Sequence, residues 1–117
     1  MDNIILEEIR VKTKIGITKE ERARPRDVLV NVEIFLDLQK AGRSDDLADT
    51  IDYRDVLKLV NLLLVEKEFV LIESVAETIA QEVLRDFPTN KVIIHVQKPK
   101  ILPKARWTGV KIVREQQ

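Results

Sequence analysis

Apolar and polar residues alternate along two long segments near the start of the chain. Between residues 28 and 38 every even position is Val, Ile or Leu; between residues 9 and 17 the apolar positions are odd, with Thr13 among them. A period of two is typical of strands that bury one face, so both segments are predicted to be strands. Residues 22–27 contain Pro25 and four charged side chains, and are predicted to join an antiparallel pair through a functional loop.

Two later segments have apolar residues at the three- and four-residue spacing of a helix face. The first follows Asp52, whose separation from Asp55 is typical of a helix capping box. The second runs from about residue 70 to residue 87, and Pro88 ends it. The two predicted apolar faces consist of Val56, Leu59, Val60 and Leu63, and of Ile72, Val75, Ala76, Ile79, Ala80, Val83 and Phe87.

Strand-like alternation returns at residues 91–98 and again around residues 107–113. The predicted order is therefore ββααββ, an α+β fold in which two helices cover one face of a four-stranded antiparallel sheet. With 117 residues and no internal linker or repeat, the chain is predicted to form one domain, residues 1–117. The other face and the edges of this sheet would stay open, which favours oligomerisation.

Lys98 is the most informative residue of the last alternating segment. Val92, Ile94 and Val96 form its apolar face, and Lys98 continues that face just before Pro99. A lysine that points inward at the end of a strand is costly unless a partner or a pocket receives it. Because burial disfavours the charged form, such a lysine is suited to proton transfer. Alternatively, the strand frays at Pro99 and the lysine turns to solvent.

Charge and hydropathy argue against several classes of protein. The 20 basic residues balance the 20 acidic ones, so no net field attracts a polyanion, and we expect no nucleic-acid partner. No apolar run approaches the length of a membrane span, and the first residues do not resemble an export signal. We therefore expect no membrane association and a cytoplasmic location.

Cysteine is absent from the sequence, and His95 is its one histidine. Thiolate nucleophiles and thiolate metal ligands are thereby excluded, and a metal site would rest almost entirely on carboxylates. We therefore expect no metal site. His95 falls on the strand face opposite Ile94 and Val96 and is predicted to be a surface residue. Any enzymatic chemistry would then use lysine, carboxylates, tyrosine and water.

Four motifs together resemble one known family. They are IGITKEER at residues 15–22, KAGRSDDLADTIDY at residues 40–53, LIESVAE at residues 71–77, and Lys98-Pro99. In this order and spacing the chain resembles the dihydroneopterin aldolases, and the resemblance covers nearly its whole length. It implies the tunnelling fold, in which subunits join edge to edge into a barrel. It also implies a homo-octamer, or a homotetramer, with active sites at subunit interfaces.

The resemblance further implies a retro-aldol cleavage in folate biosynthesis. The small-molecule pterin substrate, 7,8-dihydroneopterin, would give 6-hydroxymethyl-7,8-dihydropterin and glycolaldehyde. The resemblance also implies that no cofactor takes part. The imine of the dihydropterin ring would accept the electrons of the broken bond, so neither a Schiff-base lysine nor a metal is required.

Residue roles also come from the resemblance. Lys98 would take part in proton transfer, Tyr53 of a neighbouring subunit would protonate the intermediate, and Glu21 would order the catalytic water. Glu73 would hold the pterin ring by two parallel hydrogen bonds. The predicted catalytic residues are Lys98, Tyr53 and Glu21, and the predicted substrate-binding residues are Glu73, Ile72 and Asp52.

Each role has an alternative. The alternative interpretation of Glu73 is a first-turn glutamate favoured by the helix dipole, and that of Tyr53 is a half-buried residue at the start of a helix. Glu21 belongs to a charged loop that could simply be solvated, and the adjacent Glu20 is the other candidate for the loop carboxylate.

Two alternative functions also remain open. The chain lacks the aromatic residue that many relatives carry between Gly16 and the loop glutamates, and residues 100–106 form a basic segment after Pro99. This segment, with the arginines of residues 22–26, could bind phosphates, as in the related dihydroneopterin-triphosphate epimerases, or form a solvated turn. The second alternative is a pterin-binding member of the fold without catalytic activity.

Overall fold

The computed structural model describes residues 1–99 and 103–116. Residues 100–102, part of the basic segment noted above, lie outside the described residues. The elements, in chain order, are β1 (Asn3–Ile15), α1 (Lys19–Arg22), β2 (Arg26–Phe35), α2 (Gln39–Ser44), a 3₁₀ turn (Leu47–Asp49), α3 (Tyr53–Glu66), β3 (Glu68–Phe69), α4 (Ile72–Asp86), β4 (Lys91–Pro99) and β5 (Trp107–Glu115).

The long elements confirm the predicted α+β order ββααββ. The strand order in the sheet is β3-β1-β2-β4-β5, with antiparallel pairing between the four long strands. The prediction of a four-stranded, wholly antiparallel sheet was wrong in one respect, because β3 adds a fifth strand parallel to β1. Since β3 has only two residues, it is too short to produce a period in the sequence.

The first strand is longer than its pattern predicts, because a β-bulge interrupts the alternation. Its pairing with β2 shifts between Leu6 and Ile9, and Glu8 there has a φ of 53°. Asn31 of β2 stabilises the bulge, since its side-chain oxygen accepts the Glu8 N–H at 2.9 Å. The apolar positions are even before the bulge and odd after it, so a single period could not describe the whole strand.

The core lies between the sheet and the two long helices, as predicted. The even positions from Val28 to Ile34 in β2 and from Val92 to Val96 in β4 are fully buried, whereas most of their odd neighbours are half exposed. Shifting either strand by one residue would turn this aliphatic face to solvent, so the register is strongly determined. The side chains that these elements contribute to this core are Val28, Val30, Val32 and Ile34 of β2; Val92, Ile94 and Val96 of β4; Val56, Val60 and Leu64 of α3; and Ile72, Val75, Ala76, Ile79, Ala80, Val83 and Leu84 of α4.

A buried hydrogen bond sets the direction in which α3 lies on the sheet. The hydroxyl of Thr13, near the end of β1, donates to the carbonyl of Leu64 at 2.6 Å, and Thr13 is only 2% exposed. The last turn of α3 is therefore held at the end of β1. Tyr53, at the other end of α3, shares a cleft with Ile4 at the start of β1. Helix and strand consequently run in the same direction.

The face of the sheet that the helices leave uncovered is polar in its centre. His95 lies there, half buried, beside Asn31, whose amide donates to the His95 carbonyl at 3.2 Å and to the Gln97 side chain at 2.9 Å. In the part of the chain that the structure describes, no helix is long and apolar enough to cross a membrane.

Candidate active site

Four elements meet at one end of the sheet, which we call the Lys98 end. Antiparallel pairing places the end of β1 beside the start of β2, and the start of β2 beside the end of β4. Parallel pairing of Ile15 with Phe69 places β3 at this end as well, only two residues before α4 begins. The segments that carry Glu21, Glu73 and Lys98 therefore converge.

Lys98 continues the buried face of β4, as the alternation predicted. It is half buried, two residues beyond the fully buried Val96. The alternative, in which the strand frays at Pro99, is wrong, because Lys98 still pairs with Thr108 of β5 and Pro99 with Trp107. The strand thus holds the lysine stem against the helix side of the sheet up to its last residue.

Glu21 is held by a capping box at the start of α1. Its N–H donates to the Thr18 hydroxyl at 3.1 Å, and its carboxylate accepts the Thr18 N–H and the Thr18 hydroxyl, both at 3.2 Å. The Thr18 N–H is the main cause of a lowered pKa at Glu21, with smaller contributions from the charges of Arg26 and Lys98. Glu21 is therefore an ionised carboxylate within electrostatic reach of Lys98.

Glu20, the other candidate for the loop carboxylate, differs from Glu21 in its surroundings. Its side chain is exposed, whereas that of Glu21 is half buried. The Thr18–Glu21 box is a feature that the sequence interpretation missed, although Thr-x-x-Glu before a helix is its recognised signal.

Gly16 allows Glu21 to lie directly on the end of β1. A Cβ added to Gly16 would lie 2.2 Å from the Cβ of Glu21, far inside van der Waals contact. The Gly16 N–H donates to the Phe69 carbonyl at 3.1 Å, which ties the loop to β3. The position of Glu21 is thus linked to the segment that leads into α4.

Glu73 lies in the exposed first turn of α4, where the helix dipole favours an anion. Leu71, the residue at the N-cap position, makes no side-chain hydrogen bond to the helix. The side chain of Ile72 packs in the core and is only 8% exposed. Of the predicted pair, Glu73 therefore presents a side chain to a ligand, and Ile72 has only its backbone to offer.

Tyr53 and Asp52 lie together at the start of α3. Tyr53 is 62% exposed and, with Asp52, borders a cleft of about 530 Å³ whose other walls include Leu38 and Leu47. Asp52 caps α3, as predicted, but through the Arg54 N–H at 3.0 Å, so the capping box with Asp55 was wrong. The Arg54 guanidinium, 2.7 Å from the carboxylate, is the main cause of a lowered pKa at Asp52.

One chain does not bring Tyr53 to the Lys98 end. Eleven helical residues separate Tyr53 from Leu64, which is roughly 17 Å at the α-helical rise. Along β1, the path from Ile4 to Ile15 is roughly 35 Å at the usual rise of a strand. Lys98, Glu21 and Glu73 therefore occupy one end of the molecule, and Tyr53 and Asp52 the other.

Comparison with known proteins decides the family. A sequence profile described as Dihydroneopterin aldolase matches residues 4–113. The chain belongs to the dihydroneopterin aldolase family. The dihydroneopterin aldolase of Streptococcus pyogenes serotype M1 is 35% identical over 118 residues, with 98% of this chain and 99% of that protein covered.

Solved structures agree with this dihydroneopterin aldolase assignment. The crystal structure of the Escherichia coli enzyme in complex with neopterin has a TM-score of 0.93 and 33% identity, with 97% of this chain and 99% of that chain covered. The FolB structure from Vibrio cholerae has a TM-score of 0.96 and 33% identity, with 99% and 98% covered.

Two further similarities extend beyond single aldolase domains. The chain is 30% identical to part of the folic acid synthesis protein of Dictyostelium discoideum, but spans only 17% of its length. A uricase from Bacillus fastidious has a TM-score of 0.66 at 9% identity, and the chain covers 44% of it. The second similarity shows a shared fold alone.

We expect Gly16→Ala to destabilise this aldolase and to displace Glu21, because the new methyl group would overlap the Glu21 side chain. Overpacking of this kind typically lowers the free energy of unfolding by about 1–3 kcal/mol. The matched control is Gly42→Ala in α2, where nothing lies within 4 Å of the added Cβ. Urea unfolding should show no loss for the control, and equal losses in both variants would contradict the prediction.

Proposed function

We propose that the chain cleaves 7,8-dihydroneopterin at the Lys98 end, using Lys98, Glu21 and Glu73 of one subunit and Tyr53 of another. Family membership makes the chain a dihydroneopterin aldolase, a lyase of folate biosynthesis. The observation that carries the assignment of residues is the convergence of Glu21, Glu73 and Lys98 in one chain. The related Escherichia coli structure, in complex with neopterin, supports a pterin as the ligand.

The proposed reaction needs one proton removed and one proton returned. A base takes the proton of the 2′-hydroxyl, the bond between the first and second side-chain carbons breaks, and glycolaldehyde leaves with the new carbonyl group. The electron pair of that bond passes to the first side-chain carbon and into the ring imine, giving an enamine. Protonation of this carbon yields 6-hydroxymethyl-7,8-dihydropterin and restores the imine.

Lys98 and Glu21 suit the proton-transfer half of this scheme. Lys98 is half buried at the end of a fully buried strand face, so its amine is confined near the sheet end. Glu21 is ionised and fixed by Thr18, and its charge lies close enough to interact with that of Lys98. We assign Lys98 to proton transfer through a bound water, and Glu21 to orienting that water.

Glu73 suits recognition of the ring. Its exposed carboxylate offers two acceptor oxygens to the 2-amino group and the adjacent N–H of a pterin. The first turn of α4 also presents backbone N–H groups, including that of Ile72, which have no side-chain cap at Leu71. Ring binding and proton transfer would thus be performed by different elements of the same sheet end.

Tyr53 would reach this site from another subunit, because its own chain holds it at the opposite end. The edges of the sheet support such assembly, since in the described part of the chain β5 pairs only with β4 and β1 pairs with β3 over two residues. Asp52 would support the tyrosine by capping α3 beneath it. A homotetramer or homo-octamer in the cytoplasm is part of this proposal.

Epimerisation of the triphosphate is the second candidate activity, and one contact favours it. The Nε of Arg26 lies 3.4 Å from the carbonyl oxygen of Glu21. A cation that could bind a phosphate is therefore adjacent to Glu21, one of the residues assigned to proton transfer. Product analysis separates the two reactions, because epimerisation releases no aldehyde.

The first test is incubation of the protein, without oxygen and with excess chelator, with 7,8-dihydroneopterin and, separately, with its triphosphate. We expect the first substrate to give 6-hydroxymethyl-7,8-dihydropterin, and Lys98→Ala to lose at least about 100-fold in kcat, as expected for removal of a proton-transfer group. Lys91→Ala, on the same strand at its other end, is the matched control. Full activity of Lys98→Ala would remove the lysine from the mechanism, and turnover of the triphosphate alone would favour the epimerase.

We expect Glu73→Gln to weaken pterin binding rather than folding. Loss of a charge-assisted pair costs about 1.5–3 kcal/mol, which corresponds to a roughly 10- to 100-fold rise in the Kd for 6-hydroxymethylpterin. Glu82→Gln, on the same helix, should leave that Kd unchanged. Titration calorimetry measures both, and an equal Kd for Glu73→Gln and wild type would refute the role of Glu73.

Mixed oligomers test whether Tyr53 acts across an interface. Tyr53→Phe and Lys98→Ala should each be nearly inactive, but subunits unfolded together, mixed equally and refolded should form about one quarter of sites with both native residues. We therefore expect activity to return towards about one quarter of the wild-type value when the pair is mixed. If both residues of each site came from one chain, mixing would restore nothing.

A further inference from the structure

Arg22, the last residue of α1, makes an unusual set of contacts for a loop arginine. Its Nη1 donates to the Gly16 carbonyl at 2.8 Å and to the Ile17 carbonyl at 3.0 Å. Its Nε lies 3.4 Å from a carboxylate oxygen of Glu68 in β3, and only 17% of its side chain is exposed. The guanidinium thus binds the start of the turn that carries Glu21 and the strand that leads to Glu73.

The two carbonyl contacts satisfy backbone groups just beyond the end of β1. Past Ile15, the N–H of Gly16 bonds to Phe69, whereas the carbonyls of Gly16 and Ile17 accept from Arg22. A planar guanidinium can serve these acceptors and a carboxylate at once, and a lysine ammonium lacks that fixed fork. Arg22 therefore connects the Gly16 and Ile17 carbonyls of the loop to Glu68 of β3, and we call these three contacts the Arg22 brace.

Movement of this brace would be transmitted directly to Glu21. Gly16 lies beneath the Cβ of Glu21 with no room for a methyl group, so a shift of the Gly16 backbone changes where the carboxylate sits. The ion pair would contribute little by itself, because the Glu68 side chain is 59% exposed, but two hydrogen bonds from the mostly buried guanidinium restrict the loop geometry.

We infer that Arg22 is a positioning residue that sets the place of the Glu21 carboxylate relative to Glu73 and Lys98. The inference rests on the proposed function, because it concerns the same site. Arg22 itself need not touch the substrate, since its contacts are directed to the backbone of the loop and to Glu68.

Steady-state kinetics of Arg22→Lys test the inference. We expect kcat for 7,8-dihydroneopterin to fall roughly 10- to 100-fold, as small misplacements of catalytic groups do. The Kd for 6-hydroxymethylpterin should change by less than about threefold, because Glu73 stays on α4. Arg24→Lys, an exposed arginine two residues along, is the matched control and should keep the wild-type kcat. A rise in Kd with unchanged kcat would overturn the inference.

A mutant cycle shows whether Arg22 acts through Glu21. If it does, the double variant Arg22→Lys/Glu21→Gln should be no slower than Glu21→Gln alone. If the fold losses of kcat in the two single variants multiply in the double variant, the inference is overturned. It is also overturned if Glu21→Gln keeps full activity. If Arg22→Lys does not fold, Glu68→Gln replaces it in the cycle, and we expect a smaller loss of kcat in the same direction.

Amide hydrogen exchange gives a readout that needs no turnover. In Arg22→Lys the Glu21 amide should exchange roughly tenfold faster, because the loop opens locally, while amides of β2 keep wild-type protection. Unchanged exchange at Glu21 would overturn the inference. If wild type fails to cleave dihydroneopterin but this exchange difference is present, the proposed function fails and the role of Arg22 as a brace stands.

Discussion

The hydrogen bond from the Gly16 N–H to the Phe69 carbonyl is the contact on which the candidate site depends. It extends the two-residue parallel pairing between β1 and β3, and so joins the first loop of the chain to the start of α4. Glu21 lies on this glycine, and Glu73 follows Phe69 by four residues. The segments that carry two carboxylates far apart in the sequence are thus brought to the same end of the sheet through a very short strand.

The register of the sheet supplies the third group of this site. Val92, Ile94 and Val96 are fully buried, so β4 cannot slip by one residue without exposing its aliphatic face. Lys98 must then emerge on the side where the helices pack, at the sheet end where Glu21 lies. The same packing that stabilises the fold therefore places the amine, with no dedicated loop.

The period and parity of apolar residues were sufficient to predict the long elements and the inward direction of Lys98. They could not predict the bulge at Glu8, where the parity changes, or β3, whose two residues have no period. The docking direction of α3 depends on a tertiary bond from Thr13 to Leu64, so the separation of Tyr53 from the site was not readable from spacing. Motif resemblance named the candidate residues and implied that Tyr53 comes from a neighbouring subunit, but it did not indicate which end of the chain each residue occupies.

This separation has a consequence for how such a site can be built. In the proposed arrangement each chain would hold its own half of the site: Arg22 and the Thr18–Glu21 box fix the loop at one end, and Asp52 caps the start of α3 at the other. When catalytic groups come from two subunits, no single chain fixes the distance between them. The accuracy of that distance then depends on how rigidly each subunit holds its own groups and on how the subunits pack at the interface. Contacts that hold a catalytic loop in place then affect the rate, even when they are distant from the reacting atoms. The hydrogen bonds from Arg22 to the Gly16 and Ile17 carbonyls are contacts of this kind.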